Sequence, residues 1–457
     1  MKLKKNDIIR LEITGMTSQG SGVGRYKGIA IFVASSAIGD ELDVRIIKTS
    51  KNYAIGRIEN IITPSDSRIA PDCPVSGSCG GCTYRHIEYG EELKIKRQKV
   101  IDAVTRIGGL DEEIVGEIVG AEKCDGYRNK AQLPIGTDRS GKYIAGFYAF
   151  HSHRIIDSES CLLQPPIFSK VCAVFRKWCD IFKPSVYDEL THKGLLRHLY
   201  IRYGEISGEI MVCLVINGEK IKGEQQLAEM LKNEIDGFKS LVININRDKT
   251  NVILGDKCRT AYGDDYITDT LCGLKFNLSP LSFYQVNRTQ AQRLYEIAAE
   301  YAALSGDEIL LDLYCGTGTI GLSMAKNARK LVGVEIIPQA IENAKENAKN
   351  NGITNAEFIC GDAAKAAEKL KKSGETPDVS IVDPPRKGLA AELIDTISQL
   401  DPKRVVYVSC DCATLARDIR LFGEKGYCVQ KLTPVDLFPR TAHVETVVLM
   451  SKVNPNK

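Results

Sequence analysis

Hydrophobic and polar positions change rhythm twice along this chain. Up to about residue 62, short apolar runs at 8–13, 28–34, 41–48 and 53–62 are separated by turns at Gly15, Gly20, Gly22, Gly24 and Gly39. Runs this short, with glycine between them, predict about five strands closing into a small β-barrel of OB type. The next stretch is mixed. A basic helical pattern at 91–107 precedes strand-like segments at 126–133 and 142–150, a helix at 171–182, and strands at 199–203, 210–216 and 241–246. In the predicted helix Val171, Phe175 and Trp178 share one face, which reads as core rather than as a base-stacking surface. From about Tyr295 the alternation is strict. Buried-strand runs at 309–313, 330–334, 356–359, 379–382 and 404–408 have helices between them, and two apolar segments, 428–436 and 444–451, follow. That order predicts a doubly wound α/β domain ending in a reversed pair of strands. The expected fold class is multidomain α/β, with units at 1–62, 63–290 and 291–457.

The chemistry gathers where the predicted parallel strands end, the edge at which open α/β sheets bind ligands. The first strand runs into Asp312-Leu-Tyr-Cys-Gly-Thr-Gly-Thr319. Its glycines permit close backbone approach to a ligand, but its spacing is neither the dinucleotide fingerprint nor a P-loop. The second strand ends in Glu335, placed to accept both ribose hydroxyls of an adenosine, and Asp362 follows the third, placed for the adenine amino group. Together these positions specify S-adenosylmethionine. Asp383-Pro-Pro-Arg386 follows the fourth strand; where amino-group methyltransferases carry an aromatic residue, this loop carries Arg386.

The fifth strand ends in Ser409-Cys410-Asp411, with a helix expected from about Ala413. A thiol at a helix N-terminus is expected to have its pKa lowered toward the nucleophilic thiolate. Carbon 5 of a pyrimidine is a poor nucleophile until a thiolate adds at carbon 6, and its proton must afterwards be removed by a base. Glu445, entering the last strand, is the candidate base. Cys412 is the rival nucleophile, one turn into the helix.

Composition narrows the class. Of 457 residues 43% are apolar and 26% charged, and no stretch approaches the ~20 apolar residues of a membrane helix. No apolar stretch follows the basic N-terminus, so a cytoplasmic protein with no membrane partner is expected, its 15 cysteines reduced. The net charge is only +3, yet residues 1–62 hold ten Lys/Arg against six Asp/Glu. A basic front module suits phosphate contacts. Cys73, Cys79 and Cys82, spaced C-x5-C-x2-C in a Gly/Pro loop, read as metal ligands. Cys161, also in a polar loop, is the expected fourth, with Cys124 as competitor. Four thiolates suit zinc or a [4Fe–4S] cluster; a single C-x2-C pair favours the cluster.

Taken together, these motifs resemble the RNA uracil-5-methyltransferase family, most closely its iron–sulfur branch acting on bacterial 23S rRNA. Residues 1–62 resemble the RNA-binding TRAM barrel. The resemblance implies cluster ligands at Cys73, Cys79, Cys82 and Cys161, cofactor contacts at Gln285, Tyr314, Thr319, Glu335, Asp362 and Asp383, a nucleophile at Cys410 and a base at Glu445. It further implies a class I S-adenosylmethionine-dependent catalytic domain, and a target uridine flipped from its stack. Contacts around Arg128 and Lys130 would offset the unstacking. A monomer is expected. The transfer-RNA branch, and a non-catalytic RNA-binding assembly factor, are the alternatives.

Overall fold

The computed structural model describes residues 3–150, 152–374 and 376–452. The first two residues of the N-terminal run and the last five of the expected catalytic unit lie outside the described residues. At the front, β1 (Ile8–Glu12), β2 (Gly15–Met16), β3 (Gly22–Tyr26), β4 (Ile29–Val33), β5 (Glu41–Thr49) and β6 (Tyr53–Thr63) form one sheet in the order β1-β5-β6-β4-β3-β2. Alternate residues turn inward, so Ile9, Leu11, Ile31, Val33, Leu42, Val44 and Ile46 fill a small core of their own. The strand at Gly22–Tyr26 was not expected, because a run holding two glycines in five residues reads as turn.

Helix α1 (Tyr89–Arg106) leads to the middle sheet, built from β7 (Lys130–Thr137), β8 (Tyr143–Tyr148), β9 (Ile155–Asp157), β10 (Leu196–Tyr203), β11 (Ile210–Ile216), β12 (Phe238–Ile245) and β13 (Lys257–Gly263). Its order is β13-β12-β11-β10-β7-β8-β9. Helices α2 (Ile167–Phe182) and α3 (Glu224–Glu234) cover one face. Trp178 lies fully buried there, its indole N–H donating to the Gly223 carbonyl at 2.7 Å, so its face is core. The opposite face packs on the hairpin β14 (Ile267–Leu271) and β15 (Leu274–Leu278) and on α4 (Arg288–Ala302), which belong to the hydrophobic layer of the last sheet.

The last sheet holds β16 (Ile309–Leu313), β17 (Lys330–Glu335), β18 (Ala356–Cys360), β19 (Val379–Val382), β20 (Arg404–Ser409), β21 (Tyr427–Val435) and β22 (Glu445–Lys452). Their order is β18-β17-β16-β19-β20-β22-β21; the first five are parallel, and β22 runs antiparallel to both its neighbours. Helices α5 (Thr319–Met324), α6 (Pro338–Asn350), α7 (Ala363–Ser373), α8 (Ala391–Leu400) and α9 (Cys412–Glu424) cover the two faces. Among the described residues no helix is long and apolar enough to cross a membrane.

The front half of the chain is tied into this sheet. Val115 and Val119 make parallel bridges to Leu432 and Val435, and α1 lies in the core that α9 shares. Lys96 of α1 is buried, its ammonium donating to Glu92 and Asp436 at 2.7 Å each and to the Phe438 carbonyl at 3.1 Å. Tyr89 adds a 2.8 Å hydrogen bond to Asp436. Removing one partner from a fully buried ion network leaves the rest uncompensated. Lys96→Met is therefore expected to lower stability by about 3–5 kcal/mol in urea unfolding followed by circular dichroism. A loss below about 1 kcal/mol, the range of an exposed pair, would contradict this account.

Candidate active site

The C-terminal ends of β16, β17, β18, β19 and β20 gather the carboxylates and the thiol at one edge. At the end of β16 the backbone turns sharply: Tyr314 adopts φ 64° and Gly318 φ 83°. A Cβ on Gly318 would meet the Leu322 side chain at 2.9 Å, so the loop needs glycine there for space as well as for its backbone angle. Thr319 opens α5, and its hydroxyl lies 3.2 Å from that of Tyr295. Asp312 is buried beneath the loop. One of its oxygens accepts the Gly321 N–H at 2.9 Å, and the other has no hydrogen-bond partner.

Glu335, half-buried at the end of β17, accepts N–H bonds from Gly316 at 3.3 Å and Ile337 at 3.0 Å. It braces the glycine loop, a role the sequence did not suggest. Asp362 is exposed and caps α7 through the N–H groups of Ala364 and Lys365. Gln285 comes from the loop before α4, where its carbonyl accepts from the Asn129 amide at 2.9 Å. An orphaned buried carboxylate oxygen, a glycine cradle and carboxylates at successive strand ends make a set of polar groups suited to an adenosine-type ligand bearing a cationic centre.

Register places the nucleophile and base candidates together. Ser409 pairs with Thr446 across β20 and β22, so the next residue outward on each chain is Cys410 and Glu445. Cys410 is half-buried and Glu445 is 5% exposed. Asp411 caps α9 through the N–H groups of Ala413 and Thr414, both at 3.0 Å. The rival thiol of Cys412 turns the other way, is buried in the core, and lies 3.8 Å from the Lys99 carbonyl of α1.

The connection from β21 to β22, which delivers Glu445, is held by side chains and backbone from distant segments. Gln290 donates to the carbonyl of Asp436, Asn287 to Leu437, Lys96 to Phe438, Tyr127 to Pro439 and Lys99 to Ala442. The Arg440 carbonyl accepts from the N–H groups of Thr83 and Tyr84, immediately after the cysteine loop.

Electrostatics at this edge correct one expectation. The Cys410 thiol is not lowered but pushed up to about 11, by burial first and then by Glu445 and Asp383; Arg386 pulls the other way. The favourable field of a helix N-terminus is outweighed by desolvation and two carboxylates from other strands. Burial raises Asp383 to about 7. Burial, aided by Asp383 and opposed by Arg386, raises Glu445 to about 8. Asp312 reaches about 7, again chiefly through burial.

Four other cysteines gather elsewhere. Cys73, Cys79, Cys82 and Cys161 all line one cavity of about 80 Å³, walled also by Arg85 and Arg128. Cys124 is not in its wall; the charges acting on it are those of Arg440, Glu92, Asp436 and Asp125. Burial raises Cys82 to about 12, with Cys161 and Cys79 adding to the shift. Among the described residues no three His, Cys, Asp or Glu side chains converge as they would around a single metal ion.

The sheet order with its reversed last strand, and the loops at its edge, define an S-adenosylmethionine-dependent methyltransferase fold. The sequence profile of the tRNA (uracil-5-)-methyltransferase family matches residues 89–453, and that of the TRAM domain matches residues 2–58. The chain belongs to this uracil-5-methyltransferase family and is a S-adenosylmethionine-dependent RNA methyltransferase with an N-terminal TRAM domain. An uncharacterized RNA methyltransferase of Clostridium tetani is 45% identical over 455 residues, covering 100% of this chain and 98% of the relative. One from Bacillus cereus is 44% identical over 451 residues, covering 99% and 98%. Among solved structures, the Pyrococcus abyssi tRNA (uracil-54, C5)-methyltransferase in complex with S-adenosyl-L-homocysteine superposes with a TM-score of 0.79 at 29% identity. That match covers 97% of this chain and 100% of the archaeal one.

The raised thiol gives a direct test on the free protein. Alkylation of Cys410 by iodoacetamide, read by mass spectrometry of its peptide, is expected to climb roughly tenfold per pH unit from pH 8 to 10 without levelling. Arg386→Gln removes the charge that favours the thiolate and is expected to slow alkylation at each pH. A plateau below pH 8 would contradict the assigned environment.

Proposed function

We propose that the chain methylates carbon 5 of a specific uridine in 23S rRNA, with Cys410 as nucleophile and Glu445 as base. The observation that carries this reading is the β20–β22 register, which sets a thiol and a carboxylate side by side at the cofactor edge. Cys410 gives its proton to solvent, with Arg386 favouring the thiolate, and the sulfur bonds to carbon 6 of a flipped uracil. The carbon 5–carbon 6 π electrons move toward O4, and carbon 5 becomes nucleophilic. The cofactor supplies an electrophilic methyl group on a sulfonium. After carbon 5 has taken that methyl, Glu445 removes its remaining proton. The electrons freed restore the double bond and expel the Cys410 sulfur. A carboxyl group near pKa 8 is a stronger base than an ordinary carboxylate.

Gln285, Tyr314, Thr319, Glu335, Asp362 and Asp383 are the proposed cofactor contacts. The unpaired Asp312 oxygen and the raised pKa values of Asp312 and Asp383 support a cation in that place. The three units, 1–62, 63–290 and 291–457, would divide the work into RNA capture, target recognition and chemistry. In the middle unit Cys73, Cys79, Cys82 and Cys161 would hold a [4Fe–4S] cluster. What supports this is that all four thiols line one cavity, and four thiolates are a ligand set that such a cluster takes. The cluster loop and the TRAM barrel favour the 23S rRNA branch. The second reading, a transfer-RNA substrate, draws on the similarity to the archaeal tRNA (uracil-54, C5)-methyltransferase.

Three experiments test this. RNA carrying 5-fluorouridine cannot lose a proton from carbon 5, so it is expected to stay covalently bound to the wild-type protein and not to Cys410→Ala. Full methylation by Cys410→Ala would overturn the mechanism. Incubation with unmodified 23S rRNA and unmodified tRNA, followed by nucleotide mapping, is expected to place 5-methyluridine in 23S rRNA; methylation of tRNA alone would favour the second reading. Anaerobically purified protein is expected to be brown and to contain iron and acid-labile sulfide in equal amounts, both lost in Cys82→Ser. Zinc in their place would exclude the cluster.

A further inference from the structure

A short segment before and into β7 runs between the cysteine cavity and the Gln285 loop. On one side the N–H groups of Gly126 and Arg128 donate to Leu162 and Leu163, next to Cys161, both at 2.8 Å. On the other, the Asn129 N–H donates to Val286 and its side-chain amide to Gln285, both at 2.9 Å. The chain is therefore fixed at both flanks, and alternation puts Arg128 and Lys130 on the same side of it.

Strand register then sets Lys130 directly opposite Arg202 of β10. Like charges opposite each other are destabilising unless something offsets them. Arg202 is 2% exposed and spends its terminal nitrogens on the carbonyls of Ser279 and Ser282, at 2.7 and 2.8 Å. It thereby holds the loop that carries Gln285. Arg128 lies over the Tyr127 ring, 5.8 Å from its centroid, and forms part of the cysteine-cavity wall. Its charge also reaches His443, two residues before Glu445, together with those of Arg386, Lys99 and Lys96.

Lys130 is half-buried, and among the described residues it has no hydrogen-bond or ion-pair partner. The charges that act on it are Arg202 and Arg128, both cations, and after desolvation they help to bring its pKa down to about 8. A half-buried ammonium facing two guanidinium groups, with no carboxylate among the charges acting on it, is a costly arrangement that an incoming anion would relieve.

We propose that Lys130 and Arg128 form a seat for one phosphodiester of the RNA, on the wall between the cysteine cavity and the catalytic edge, beside the target uridine. This deepens the proposed function and rests on it for the position of the target base. The seat is built from backbone-fixed side chains, so it positions the strand without reading its sequence. A phosphate bound there would share the ammonium of Lys130 and the guanidinium of Arg128 while Arg202 stays engaged with its carbonyls.

The test uses the full chain and a synthetic RNA hairpin spanning the mapped uridine. Lys130→Met keeps the length of the side chain and removes its charge. It is expected to raise KM for the hairpin about tenfold, with a smaller change in kcat, and to reduce the slope of log affinity against log salt by about 1. Lys130→Arg is expected to recover most of the KM. A scan of single methylphosphonate substitutions is expected to find one phosphate, adjacent to the target, whose neutralisation weakens wild-type binding and leaves Lys130→Met unaffected. An unchanged salt slope in Lys130→Met, or the same methylphosphonate penalty in both proteins, overturns the seat. Should Lys130→Met fold poorly by circular dichroism, Arg128→Met carries the same scan with the same criteria. Covalent capture of 5-fluorouridine RNA at saturating concentration reports on Cys410 separately, so failure of the seat and failure of the catalytic reading give different results.

Discussion

Ser409 faces Thr446 across two antiparallel strands, and the candidate centre follows from that register. Side chains in a strand alternate with a period of two, so a slip of one residue would turn Glu445 to the other face and leave Cys410 beside a different residue. The ladder has to be held at its open end. The structure does this through the connection between β21 and β22, whose carbonyls from Asp436 to Arg440 accept hydrogen bonds from α1, α4, Tyr127 and the exit of the cysteine loop. Arg440 adopts φ 68°, unfavourable for a residue with a side chain, and its N–H and guanidinium are bonded to Glu92 and the Ile87 carbonyl. The front half of the chain therefore fixes where the last strand begins.

The cost of this arrangement is electrostatic. Asp383 acts on both Asp312 and Glu445, and all three have pKa values raised mainly by burial. Burial penalises the charged form of each carboxylate, and a nearby cation would offset that penalty. The thiol feels the same field, which raises its pKa. A thiol with a raised pKa is a weaker nucleophile at neutral pH than an ordinary cysteine. The surroundings of His443 have the opposite polarity. His443, two residues before Glu445, has its pKa pressed down to about 4 by partial burial and by Arg386, Lys99, Arg128 and Lys96. Acidic groups thus dominate at Asp312, Asp383 and Glu445, and basic ones around His443.

Much of this was legible in the sequence, for identifiable reasons. The parallel strands at Ile309–Leu313 and Val379–Val382 are buried on both faces, so they read as unbroken apolar runs with the observed limits. The helix at Ile167–Phe182 displays an apolar stripe, although its first turn begins before the stripe becomes evident. The strand at Lys257–Gly263 was not legible, because an edge strand with little burial has no alternation to display. The hairpin of Ile267–Leu271 and Leu274–Leu278 alternates, but it is short and packs on a sheet distant in sequence. Cys410 and Glu445 stood out through the chemistry of their types and positions. The direction of the thiol's pKa could not be read, since the groups that set it come from residues 383, 386 and 445. Nor could Arg202 and Lys130 be recognised as opposed cations before the pairing of β7 with β10 was known.

The division of labour between Cys410 and Glu445 is tested most directly by Glu445→Gln mixed with unmodified substrate RNA and S-adenosylmethionine, quenched in denaturant and analysed by intact mass. The account predicts one rapid turnover of methyl transfer, with RNA left covalently attached through the peptide containing Cys410, its uracil methylated and the carbon 5 proton retained. Release of free methylated RNA at the wild-type rate, with no attached species, would contradict it.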